Sequence, residues 1–245
     1  MNILMHQTSL ELKLFFRRRD ELFWVFAFPV FFIVLFGMIY GDQMWDEIRA
    51  IDYIMPGIVV MALMTSGLIN TTTGFVEDRA KGIYRRMSVT PIKKQYILGA
   101  QLLKQYLVIL VQAAILIVIG ILVFKIDIVG NWALFLLVLT LGALCFLAIG
   151  LALTALIKTA KSAMPMTMIV FFMFLFLGGV FFPMEIMPKG LSYVSNVLPS
   201  THLNDAMRMI AIEGRAISDT GLSLLAVGGW TAVSLLLSVR FFRWE

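Results

Sequence analysis

Six apolar runs alternate with short polar stretches along the 245 residues, at 22–40, 53–76, 97–124, 132–157, 163–182 and 222–239. Roughly 20 apolar residues in a helix cross the hydrocarbon core of a bilayer, and an isolated segment can satisfy its own backbone there only as a helix. The pattern predicts an all-α integral membrane protein with six transmembrane helices. Residues 1–19 follow a different rhythm: Ile3, Leu4, Leu10, Leu14 and Phe15 share a helical face, and Arg17, Arg18 and Arg19 close the segment. That is the pattern of an amphipathic interfacial helix. A signal peptide competes for the same stretch, but the run at 22–40 is about twice the usual apolar core of a signal peptide and has no small-x-small cleavage site.

Residues 183–220 are too polar and proline-broken to span, yet too apolar for a free loop. Leu191, Val194 and Leu198 fall on one helical face, and Leu203, Met207 and Ile210 on another. Two short amphipathic helices, forming a hairpin in the outer leaflet, account for both properties. The competing reading is a packed cap with no part in transport.

The most charged stretch is Glu77 to Pro91, with Glu77, Asp78, Arg79, Lys81, Arg85 and Arg86 crowded together while Gly57–Val76 and Tyr106–Phe124 carry no formal charge. Glu77 and Asp78 precede Lys81 by four and three residues, a spacing that supports a short helix. The expectation is a helix across the membrane surface, a break near Gly82, a basic turn through Arg85 and Arg86, and a stop at Thr90-Pro91. With both termini inside, only Arg49, Lys125, Lys189, Arg208 and Arg215 of the 20 basic residues lie outside. The bias makes the charged stretch cytoplasmic.

Composition agrees with the pattern: 60% of residues are hydrophobic and 14% charged, against about a quarter charged in soluble proteins. The net charge of +5 resides in loops, so it reports topology and contact with anionic membrane lipid and not nucleic-acid binding. Cys145 is the single cysteine, and with His6 inside and His202 outside there is no convincing metal set. His202 and Asp205 are close enough in sequence for a hydrogen-bonded pair, with an ordinary solvated histidine as the alternative. No Gly-Lys pair occurs anywhere, so a phosphate-cradling loop is absent. All 15 acidic residues fall in loops or at span ends, unlike the mid-membrane carboxylates of an ion-coupled carrier.

The second span carries Thr65, Ser66, Asn70, Thr71, Thr72 and Thr73. Such groups either pack helices together by hydrogen bonding or line a translocation surface. The fifth span ends in Gly178-Gly179, where two backbones can approach closely.

Glu77, Arg79 and Gly82 followed by Thr90-Pro91, together with the Gly179–Pro183 entry and Pro199 of the later hairpin, resemble the ABC-2 type permeases, the membrane subunits of one class of ABC exporter. Where that family often has a small residue and then Leu-Glu after the glycine, this chain has Ile83-Tyr84-Arg85. The resemblance covers nearly the whole chain and implies a single transmembrane domain over 1–245 with a cytoplasmic coupling loop at 77–95. It implies that Glu77, Asp78, Arg79, Gly82, Arg85 and Arg86 contact a separate ATP-binding subunit, which holds ATP and Mg; this chain itself has no cofactor and is not an enzyme. It further implies a second permease copy or a related permease, location in the cell membrane, and export of a drug, antibiotic, lipid or lipid-linked glycan. The expected path uses Thr65, Ser66, Asn70, Thr73, Gly178 and Gly179. An ATP-independent channel or carrier is the alternative.

Overall fold

The computed structural model describes residues 3–41, 43–45, 48–87, 92–180 and 188–241. Among them, six helices are long and apolar enough to cross a membrane. The chain opens with α1 (Ile3–Arg17) and α2 (Arg19–Tyr40), the first span. A two-residue ribbon of β1 (Met44–Trp45) on β2 (Ile48–Arg49) turns the chain into α3 (Ala50–Met64). A single π turn, Thr65–Asn70, joins α3 to α4 (Thr71–Ala80), so the second span is one continuous rod from Ala50 to Ala80.

After the short α5 (Ile83–Met87) come α6 (Lys94–Phe124), α7 (Trp132–Leu156) and α8 (Ala160–Leu177), the third to fifth spans. Their ends obey local rules. Asn131 caps α7 by accepting from the amides of Ala133 and Leu134 at 2.8 and 3.3 Å, and Thr159 caps α8 by accepting from Ser162 at 3.3 Å. Because α8 begins at Ala160, Pro165 lies in its second turn, one turn deeper than a start at Ala163 implies. Then α9 (Lys189–Ser195) and α10 (Pro199–Ala211) precede the last span, α11 (Ile217–Phe241). The expected end of the fifth span at Phe182 and the Gly179–Pro183 entry run into residues outside those described.

Burial orders the bundle. In the second span 89% of the apolar window is buried, against 22% in the first and 17% in the last. The second span is therefore the axle, and the peripheral spans turn apolar faces outward: Trp24, Phe31 and Met38 on α2, and Ile169, Phe172 and Phe176 on α8. Spans two and four meet at their backbones. A Cβ on Gly150 would lie 2.1 Å from the Gly67 carbonyl oxygen, so only glycine fits.

Both amphipathic expectations change on contact with this core. On α1, Phe15 is buried and Leu4 reaches Gly99 of α6, while Ile3, Leu10 and Leu14 are exposed. The single apolar face read from sequence is thus two faces, one packed on the third span and one left bare. On α10, Leu203, Met207 and Ile210 are buried to within 1%, and Leu203 fits against Gly142 of α7. This helix is driven into the bundle, whereas Leu191 and Val194 of α9 remain 44% exposed.

One polar stripe explains how α10 is seated. Ser200, Asn204 and Arg208 follow each other at four-residue spacing, on one face of the helix. Ser200 Oγ donates to Phe174 O at 3.0 Å, Asn204 Nδ2 to Gly179 O at 2.8 Å, and Arg208 Nη2 to Val180 O at 3.3 Å. Gly179 and Val180 lie just past the end of α8, beyond its helical ladder, while Phe174 O accepts both this hydroxyl and the amide of Gly178 at 2.9 Å. His202 Nε2 lies 2.9 Å from Asn196 O, so its hydrogen bond goes to the loop before α10 and the pair suggested with Asp205 does not form through that atom.

Candidate functional site

The charged stretch is built differently from the surface helix expected for it. Glu77, Asp78 and Arg79 form the last turn of the second span, because α4 runs unbroken to Ala80. The break does fall at Gly82, whose φ of +66° is left-handed and favours glycine. Beyond it, the expected basic turn is the short helix α5, with Arg85 and Arg86 exposed and Tyr84 buried. Thr90-Pro91 lies outside the described residues.

Each charged side chain has a separate task. Glu77 and Lys81 pair at 2.9 Å in an exposed i,i+4 contact, which contributes little energy. Asp78 turns the other way and accepts from Gln101 Nε2 at 2.7 Å, while Gln101 Oε1 accepts from the Tyr84 hydroxyl at 2.8 Å. Burial, reinforced by Asp78, raises the Tyr84 pKa above its ordinary value, so the hydroxyl stays a donor. Arg79 donates to Thr154 O at 3.2 Å and also to Ile157 O, capping the end of α7. The stretch is thereby bolted to spans three and four, with Glu77, Lys81, Arg85 and Arg86 presented outward.

A cavity of about 60 Å³ opens beside this turn, between α1, the second span and the third. Glu11, Phe15, Asn70, Gly74, Asp78 and Lys104 are among its walls. Burial raises the Glu11 carboxyl pKa above its ordinary value, and Lys104 opposes the shift. Lys104 also stands 5.8 Å from the centre of the Phe15 ring, within cation–π range.

Buried amides continue upward from there on one face of α6. Gln105 Nε2 donates to Ser66 O at 3.0 Å, and Gln112 Nε2 donates to Val25 O at 2.7 Å while its Oε1 accepts from Ser66 Oγ at 2.8 Å. Gln101, Gln105 and Gln112 are each no more than 6% exposed. They stand at i, i+4 and i+11, within about 40° of each other around the helix.

The polar residues of the second span divide into two groups. Ser66 bonds to Gln112, Thr71 Oγ1 donates to Ser66 O at 3.1 Å, and Thr72 Oγ1 donates to Gly150 O at 2.9 Å, so these three tie helices and turns together. Thr65 and Thr73 bond only to their own helix, at Met61 O and Ile69 O, and are half-buried with Asn70. The Asn70 amide nitrogen has no hydrogen-bond partner among the described residues. Gly178 does permit close approach, but to α10 of the same chain: a Cβ there would lie 2.4 Å from Ser200 Oγ. Gly179 takes a φ of +65° and offers its carbonyl to Asn204.

Sequence reading missed Gln112, the π turn and the Ser200–Asn204–Arg208 stripe. The stripe had a visible four-residue spacing. Gln112 was also in view, seven residues beyond Gln105 within an otherwise apolar run; the π turn leaves no comparable mark.

The family profile described as ABC-2 family transporter protein matches residues 46–240. The transport permease YvfS of Bacillus subtilis (strain 168) is 23% identical over 245 residues, covering 97% of this chain and 96% of its own. The daunorubicin resistance ABC transporter permease protein DrrB1 of Streptomyces coeruleorubidus is 26% identical over 222 residues, 88% of this chain and 77% of that one. The ABC transporter G family member 20 of Dictyostelium discoideum is 26% identical over 203 residues; these are 82% of this chain but only 27% of that protein.

Proposed function

The chain belongs to the ABC-2 transporter family, is a multi-pass membrane protein and works as an ABC transporter permease, and from this we propose that it is the permease subunit of an ATP-driven exporter. The carrying observation is that the most buried span ends in the charged turn Glu77–Lys81 and continues into a helix bearing exposed Arg85 and Arg86. A force applied there by a soluble partner acts on the axle of the bundle. The partner is an ABC ATP-binding subunit holding ATP and Mg, and Glu77, Asp78, Arg79, Gly82, Arg85 and Arg86 form or support its contact. Asp78 and Arg79 act from behind, through Gln101 and the end of α7. The charged turn and both termini face the cytoplasm of the cell, α1 lies at the inner interface, and the α9–α10 hairpin lies in the outer leaflet.

Cargo passes between this subunit and a second copy or a related permease. The half-buried face of Thr65, Asn70 and Thr73 supports that path, as do the bare apolar faces of α2 and α8. Ser66, Gly178 and Gly179 serve it by holding neighbouring backbones in place. Such a path suits an amphipathic or apolar cargo, in keeping with the drug-resistance name of the Streptomyces relative.

Charge reversal tests the contact. Arg85→Glu with Arg86→Glu is expected to leave insertion and thermal stability unchanged while abolishing co-purification with the ABC ATP-binding subunit. Full assembly and export by this variant would refute the assignment, and ATP-independent export by the permease alone would favour a channel or carrier.

A further inference from the structure

The π turn at Thr65–Asn70 sits at the middle of the most buried helix, where Gly67 packs directly against Phe146 and Gly150 of the fourth span. A π turn takes up one residue more than an α turn and is often found at functional sites. It also frees carbonyl groups that the regular ladder would occupy. Here the Ser66 carbonyl is held by two side chains, Gln105 Nε2 at 3.0 Å and Thr71 Oγ1 at 3.1 Å, and the Ser66 hydroxyl is held by Gln112 at 2.8 Å.

Closing the wide turn to α geometry would rotate the α4 end by about 100° and advance it by about 1.5 Å. That motion would carry Asp78 away from Gln101, Arg79 away from Thr154 and Ile157, and Thr72 away from Gly150. The contacts at the charged turn and the π turn therefore favour the same state.

We propose that the π turn is the hinge of the second span and that Gln105 and Gln112 are its positioning residues, holding the wide turn until movement of the coupling segment releases it. The proposal rests on the reading of Glu77–Arg86 as the ATPase contact. Gln101 marks where the pull arrives, since it alone of the three amides joins the third span to Asp78 and Tyr84. Gln112 also reaches the Val25 carbonyl, so release of the turn would be felt in the first span, whose bare face lies on the proposed cargo path.

Amide hydrogen exchange of the 65–73 segment, measured on the permease–ATPase complex in nanodiscs, tests the hinge. Trapping with ATP and vanadate is expected to speed exchange in that segment by about tenfold, the effect of removing one buried hydrogen bond. Gln105→Met keeps the volume and removes the donor; it is expected to exchange fast before nucleotide is added, to retain the ATPase, and to lose coupling between hydrolysis and transport. Thr71→Val removes the second donor without touching the third span and is expected to shift exchange the same way by a few fold. If trapping leaves 65–73 unchanged in the native complex, the hinge is refuted. It is also refuted if Thr71→Val and Gln105→Met both exchange as the native protein does. Should Gln105→Met fail to assemble, the Thr71→Val result decides. Failure of the ATPase-contact reading shows separately, as retained co-purification of the Arg85→Glu, Arg86→Glu variant.

Discussion

Replacing Arg208 by methionine tests how the hairpin is held. Arg208 is 9% exposed, and its guanidinium donates to Tyr53 O at 3.2 Å, to the Tyr53 hydroxyl at 3.0 Å and to Val180 O at 3.3 Å, with Cζ 3.8 Å from the Tyr53 ring centre. Methionine keeps the apolar stem and removes every donor. Hydrogen bonds to a charged group contribute about 1.5–3 kcal/mol each, and a buried acceptor left alone costs about 1–3 kcal/mol. These contributions share one side chain and do not add. The Tyr53 carbonyl also lies within α3, where the helix ladder supplies a donor. The Val180 carbonyl and the ring contact then dominate, for a net loss of about 3 kcal/mol. Arg208→Lys should lose about 2 kcal/mol, because an ammonium cannot reproduce the planar fork. Unfolding by SDS in mixed micelles, followed by circular dichroism, reads both values. A loss below about 0.5 kcal/mol for the methionine variant, the level of an ordinary surface change, would show that the stripe on α10 is not what seats the hairpin.

Gly150→Ala should destabilise by more than about 3 kcal/mol, since its Cβ would stand 2.1 Å from the backbone oxygen of Gly67; a stable, normally assembled variant would contradict the backbone contact. Glu11 has its pKa raised above an ordinary 4.5 by burial. The folded state therefore binds more protons, and stability falls as pH rises through the window above that value. Unfolding at about pH 5 and pH 8 should show this slope, and Glu11→Gln should flatten it; an unchanged slope would assign it elsewhere. For topology, a cysteine at Val129, which is 68% exposed, should react with an impermeant maleimide in intact cells and one at Lys81 should not. Labelling at Lys81 would reverse the orientation.

The six spans were legible because an apolar run of that length has few alternatives to a membrane helix. The break at Gly82 and the pairing of Glu77 with Lys81 were also legible, since both depend on local chemistry. What escaped was tertiary. Charges at Glu77–Arg79 suggested that the helix had left the bundle, yet Asp78 and Arg79 are paid for by Gln101 and by the open end of α7. The hairpin read as a surface element because α10 is strongly two-faced, but the polar stripe of α10 meets backbone carbonyls at and just past the end of α8. Ser66 and Thr72 looked like members of one polar run with Thr65 and Thr73, and only the positions of Gln112 and Gly150 separate them.

The central place of the second span also bears on how the protein is made. A chain synthesised from its N-terminus delivers this helix to the bilayer before any of the groups that later satisfy it. Ser66 must wait for Gln105 and Gln112, and Thr72 must wait for Gly150. In the interval its hydroxyls can bond only to their own backbone, as Thr65 and Thr73 still do in the finished molecule. Biogenesis therefore leaves the axle provisional until the fourth span arrives, and truncations ending before Gly150 should be the ones cleared by membrane quality control.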